Sequence, residues 1–213
     1  MLKGPLPPLD GPAFEFVAAH YPRFHDGSSV RKFCVPIRPQ YHSRLFPEIA
    51  FGRKLPLFPT EAFGPLLARG QERTPGNTIR KVYLCRASTQ DVRAGDVLLF
   101  YMSKDERYAA SQSITTVGIV QQLTSGETVD DLIRLTAKRS VYSAEDMRLM
   151  VPSANSPVRV MDFLLIGHAQ VCVKLENLLA MQVFSRRPPQ SIARIGEEQY
   201  ARLKPHLDLG FYF

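Results

Sequence analysis

Two kinds of hydrophobic patterning divide the chain. The first is the continuous apolar run. Val97-Leu98-Leu99-Phe100-Tyr101 follows a Gly95-Asp96 turn, and Val117-Gly118-Ile119-Val120 follows a mostly polar interval. Such runs predict strands buried on both faces, here a hairpin with strands at 96–102 and 114–123 and a long charged tip. "KFCVPI" predicts a further strand at 32–37, stopped by Pro39, and "TIRKVYLCRA" one at 81–86. "RVMDFLLIGHAQVCV" reads as strand broken near Gly167, and "QSIARI" as a last strand.

The second pattern is helical spacing. "PQYHSRLFPEIAF" suits a short helix with Pro39 near its first position. Val129, Leu132, Ile133, Leu135 and Thr136 fall on one face of another. Ser143 with Asp146 three residues on forms a capping pair that opens a third. "LENLLAMQV" and "GEEQYARLKPHL" predict two more, the latter with Glu197 and Glu198 in its first turn. Residues 52–75, rich in Pro, Gly and aromatics, read as an irregular connection with a helical turn at 60–69. Residues 1–29 read as an extended proline-rich arm. Short connections between more strands than helices predict an α+β fold, a mainly antiparallel sheet curled on itself with helices outside. The domain expectation is an arm at 1–30 and a single domain at 31–213.

Composition narrows the class. No run approaches the roughly 18 apolar residues of a membrane span, and the N-terminal stretch lacks an apolar signal-peptide core. Three scattered cysteines, Cys34, Cys85 and Cys172, exclude a disulfide framework and a Cys-x-x-Cys zinc motif, which suits a reducing cytoplasm. The net charge is +7. Residues 31–86 hold eleven Arg/Lys against Glu48, Glu61 and Glu72, a local surplus of eight. A concentrated positive stretch attracts polyanions, chiefly nucleic acid.

No dinucleotide, phosphate-loop, zincin or nucleophile-elbow motif occurs, so no cofactor, metal or catalytic residue is expected. Cys34 and Cys85 sit in apolar strand-like surroundings and read as inert thiols. Asp96 reads as a turn residue. Basic and aromatic residues alternate in "RPQYHSRLF", "IRKVYLCR" and "FYMSKDERY", the pairing that phosphates and stacked bases require. Tyr41 and Tyr101 are the better candidates for exposed stacking.

"RAGDVLLFYMSK" resembles the signature of EVE domains, in which a Gly-Asp turn leads to a strand ending Phe-Tyr-His-Ser and then to a "VGIV"-type strand. EVE domains belong to the PUA-like group with YTH and ASCH domains. "KFCVPIRPQYHSRLF", "AKRSVYS" and "PQSIARIGEEQY" extend the resemblance over about 31–205, toward the PUA-like region attached to bacterial GNAT acetyltransferases in toxin–antitoxin-like settings. The resemblance implies a curved mixed β-barrel with peripheral helices and a pocket that reads a nucleobase, often a modified one, in DNA or RNA. Carried over, the pocket would be formed by Arg38, Pro39 and Tyr41, by Tyr83, Cys85 and Arg86, and by Tyr101, Met102 and Ser103. Arg80, Lys81, Lys104 and Arg107 would hold phosphates. The sequence departs from the family at Met102, where His is usual, and in having no Trp for a YTH-type cage.

Three functions compete. The first is a nucleic-acid-binding module with a base pocket, not an enzyme. The second is an ASCH-like amidohydrolase on a modified nucleoside, with Lys81 or Lys104 as base near Asp96 or Glu106. The third is a protein-interaction or antitoxin-like domain docking through the arm.

Overall fold

The structure, a computed structural model, describes residues 6–47, 49, 79–86, 91–136 and 140–211. The connection expected at 52–75 lies outside the described residues. The sheet contains β1 (Lys32–Ile37), β2 (Arg80–Cys85), β3 (Val97–Met102), β4 (Ser113–Gly126), β5 (Val158–Lys174) and β6 (Ala193–Ile195). Around it lie α1 (Ala13–His20), α2 (Pro39–Leu45), α3 (Val129–Thr136), α4 (Ala144–Leu149), α5 (Leu175–Ala180) and α6 (Glu197–Leu203). The strand order is β2-β5-β4-β3-β1-β6. Only the β1–β3 pair is parallel; the other neighbours are antiparallel, so the fold is α+β with a mixed sheet.

Both faces of the sheet are covered, which is why β3 is apolar at every position. Successive residues of a strand point to opposite faces. Phe33, Val35 and Ile37 of β1 and Leu98 and Phe100 of β3 face one core, closed by Leu45, Phe46, Leu132 and Met147. Cys34, Val97, Leu99 and Tyr101 face the other, closed by Val17 of α1, Leu178 of α5 and Tyr200 and Leu203 of α6. The sheet is curled: three strands separate β2 from β1 in the order, yet Tyr83 Oη donates to the Pro36 carbonyl at 3.0 Å.

The Gly95-Asp96 turn is built as its residues require. Gly95 has φ +89°, and a Cβ there would sit 3.2 Å from the Phe14 amide nitrogen on α1. Asp96 accepts from the Arg93 amide at 2.7 Å and from Arg31 through two bonds, at 3.1 and 2.7 Å. Gly118 makes room for a ring, since a Cβ there would lie 2.6 Å from Phe163.

Two expectations are corrected. β5 does not break at Gly167; it runs through, and its register against β4 shifts between Ile114/Thr116 and between Val117/Gly118, so bulges bend the pair instead. Nor is the first segment simply extended. Residues 13–20 are helical, and Val17, Phe24 and Val30 bury in the second core. Apolar positions inside a proline-rich composition were the overlooked signal. No helix among the described residues is long and apolar enough to cross a membrane.

Candidate functional site

A cleft of about 910 Å³ opens where β1 passes into α2, β2 ends and the β3–β4 tip begins. α4 and the segment before β6 complete it. β1 ends at Ile37, Arg38 is the N-cap of α2, and Pro39 takes the first helical turn, where its missing N–H is harmless. This puts Tyr41 one step into the helix and beside Tyr142, with ring centroids 4.9 Å apart. Tyr83 of β2 is the third aromatic lining residue.

The three hydroxyls are tied down. Tyr83 binds the Pro36 carbonyl as above, Tyr142 donates to the Leu84 carbonyl at 3.4 Å, and Tyr41 donates to Asp146 Oδ1 at 3.1 Å. Burial pushes the Tyr83 and Tyr142 phenols upward, with Cys85 adding to both; Arg38 pulls the other way at Tyr83. The Tyr83 and Tyr142 rings therefore stay neutral, and all three rings are fixed. Asp146 also closes the capping box of α4, exchanging bonds with Ser143, and pairs with Arg44 at 3.3 Å. Partial burial raises its carboxyl, but the bonds from Ser143 and Tyr41 and the charge of Arg44 outweigh this and hold it below the usual carboxylate range.

Most of the expected site residues meet here. Arg38, Pro39, Tyr41, Tyr83, Cys85, Arg86, Ser103 and Lys104 all line the cleft. Arg38 is exposed and makes no ion pair with a described residue, and Arg86 donates to Ser156 Oγ at 2.7 Å. Two expected members lie elsewhere. Tyr101 is 1% exposed on the opposite face of β3, edge-on to Phe184 at 5.8 Å, because Phe100 takes the inward direction. Met102 lines a separate depression of about 250 Å³ with His42, Phe46 and Arg107. Residues not anticipated include Tyr142, Asp146, Leu149, Met150 and 190–192. The capping signal at Ser143 located α4, but nothing local shows that it faces β2.

The phosphate set fares differently. Lys81 is 1% exposed, with its ammonium 5.6 Å from the Phe46 ring centroid, so it does not reach a surface phosphate. Arg80 is exposed at the opposite end of β2 from the cleft residue Cys85. Lys104 pairs with Glu106 at 3.6 Å, and Arg107 binds Asp105 through two bonds at 3.0 and 2.8 Å. Three cations of the basic window are likewise paired. Arg31 pairs with Asp96, Lys32 with Glu197 and Arg44 with Asp146. Arg53, Lys54, Arg69 and Arg73 lie outside the described residues.

A buried polar chain runs beside the smaller depression. His42 Nε2 meets Thr115 Oγ1 at 2.7 Å, Thr115 meets Thr116 at 3.2 Å, and Thr116 meets His168 Nδ1 at 3.0 Å. Burial, with a smaller contribution from His168, pushes His42 down to about 3. Of the lysine–carboxylate pairs of the hydrolase reading, Lys81 is buried and Asp96 is held by Arg31, while Lys104 lines the cleft and pairs with Glu106, the two being 67% and 88% exposed.

The chain matches no protein-family model and no curated protein. Its fold is similar to that of solved structures. The ASCH protein from Zymomonas mobilis is 13% identical with a TM-score of 0.53, covering 82% of this chain and 94% of that one. A serine-to-alanine variant of that protein is 11% identical with a TM-score of 0.54, over 82% of this chain and 94% of the other. A tyrosine-to-phenylalanine variant is likewise 11% identical at 0.54, over 82% and 96%. The likeness establishes a fold like that of these ASCH structures.

Proposed function

We propose that the protein is a nucleic-acid-binding module that receives a nucleobase, modified bases included, in the tyrosine-walled cleft. The observation that carries this reading is the cleft itself. Three rings fixed by hydrogen bonds stand at the ends of β1 and β2 on a PUA-like fold, with Arg38 and Arg86 at the rim. At about 910 Å³ it lies within the range of about 300–1,000 Å³ that small ligands occupy, with room for a base and its sugar. An unstacked base would lie against the Tyr41–Tyr142 pair, while Arg38 and Ser103 face its edge and the adjoining backbone. The Gly95-Asp96 turn and Phe100-Tyr101-Met102-Ser103, which resemble EVE domains, support the same reading. In that reading the fixed tyrosines take the place of tryptophan.

The test is a binding screen of single- and double-stranded DNA and RNA, with and without base modifications, against the wild type and Tyr41→Ala. Losing one base–aromatic stack costs about 1–3 kcal/mol, roughly 5- to 150-fold in affinity. Equal affinity of the variant for every oligonucleotide, or no binding by the wild type, would sink the proposal.

A further inference from the structure

With Lys81 buried and Lys104 and Arg107 paired, Arg38 and Arg86 at the rim are the cations so far placed to meet the nucleic-acid backbone without an ion pair among the described residues. The segment "SRRPPQSIAR", residues 185–194, supplies further cations from a part of the chain outside the basic window. Its second half supplies Gln190, Ser191 and Ile192 to the cleft wall. Its first half carries Arg186 and Arg187, both exposed, and Arg194 follows on β6, also exposed. None of the three makes an ion pair with a described residue. Arg187 and Arg194 border one shallow depression of about 180 Å³, with Pro189 between them in sequence. Pro188 and Pro189 hold the backbone φ of the segment near −65°, so the arginines sit on a stiff connection and not on a loose tail.

We propose that Arg186, Arg187 and Arg194 form the phosphate-binding strip, gripping the backbone of the strand whose base enters the cleft. This rests on the base-reading function proposed above. The two sites share one connection: residues 190–192 touch the base side, and the arginines a few positions away meet the flanking phosphates. An uncompensated guanidinium displaces counterions when it meets a phosphate, whereas one already paired with a carboxylate adds little. The strip therefore supplies the salt-dependent share of binding and leaves base preference to the tyrosines.

The experiment measures the salt dependence of oligonucleotide affinity for the full chain. It compares wild type, the Arg186→Ala/Arg187→Ala double variant, and an Arg134→Ala/Arg148→Ala double variant. The last removes the same formal charge from arginines already paired with Asp131 and Glu145. Each phosphate contact contributes about 0.7–0.9 to the slope of log affinity against log salt. The strip variant is expected to lose about 1.4–1.8 of slope while keeping its ranking of bases, and the paired variant to keep the wild-type slope. A wild-type slope in the strip variant, or equal losses in both variants, overturns the strip and leaves the cleft standing. No oligonucleotide binding by the wild type overturns the base-reading function and the strip with it. Folding is checked by circular dichroism, since all four arginines are exposed and none belongs to a core.

Discussion

Tyr101 shows how one residue can belong to an EVE-like stretch of sequence and still lie outside the cleft. Its ring fills the second core against Phe184, and its hydroxyl is buried with no hydrogen-bond partner among the described residues. A buried, unsatisfied hydroxyl costs free energy. Tyr101→Phe is therefore expected to stabilise the protein by about 1 kcal/mol in urea denaturation and to leave oligonucleotide affinity unchanged. A less stable variant would reveal a partner for the hydroxyl, and a weaker binder would return Tyr101 to the site. His42 gives a pH signature. In the unfolded chain its imidazole takes a proton near 6.5, but in the folded protein only near 3. Between these values the unfolded state binds the extra proton, so stability falls as pH falls, by about 1.4 kcal/mol per pH unit from this group. His42→Gln should flatten the stability profile between about pH 6.5 and 5, whatever it does to stability at neutral pH. An unchanged slope in denaturation midpoints across that range would rule out the residue as its source.

At the scale of elements, local pattern was a good guide where burial on both faces or a capping pair dictated conformation. The strands at 32–37 and 97–102 and the helix opened by Ser143 were legible for those reasons. Which faces meet was less legible. Tyr101 ends an apolar run, which suggests the edge of burial, but strict alternation from Phe100 turns it toward α5 and α6. α4 also shows a local cost. Val151, just beyond it, has φ +44° and is 65% exposed, with its amide bonded to the Arg148 carbonyl at 3.0 Å. A β-branched residue is strained in this conformation, and glycine is not. Val151→Gly is expected to gain about 1 kcal/mol and raise the melting temperature by about 2–4 °C. A lower melting temperature would show that the exposed side chain stabilises the fold despite its backbone.

The whole molecule shows that part of the basic window is neutralised from a distance. Sequence counting registers a surplus in residues 31–86, but the neutralising acids come from Asp96, Asp146 and Glu197, far along the chain. The Lys32 case also fixes the first segment to the last helix. Its ammonium is 0% exposed and bonds to the Gly27 carbonyl and to both oxygens of Glu197, and it lies 4.9 Å from the Tyr200 ring centroid. Asp26 takes a bond from Tyr200 and pairs with Lys204. Removing the negative partner leaves a buried cation poorly compensated, so Glu197→Gln should destabilise by about 3 kcal/mol. Lys32→Met/Glu197→Gln should recover much of that loss, because the charge no longer needs a partner. Chemical denaturation of the two variants checks this, and a single variant as stable as the wild type would show that the pair contributes little.

The placement of β6 bears on synthesis. It pairs with Lys32, Phe33 and Cys34 near the start of the described chain, and the residues just before it close the cleft wall. A ribosome working from the N-terminus can finish β1 to β5 while that wall is still unmade. The nascent protein is then a sheet with one wall missing. The cleft thus waits for the closing segment, and a chain abandoned before Gln190 lacks the residues that complete it.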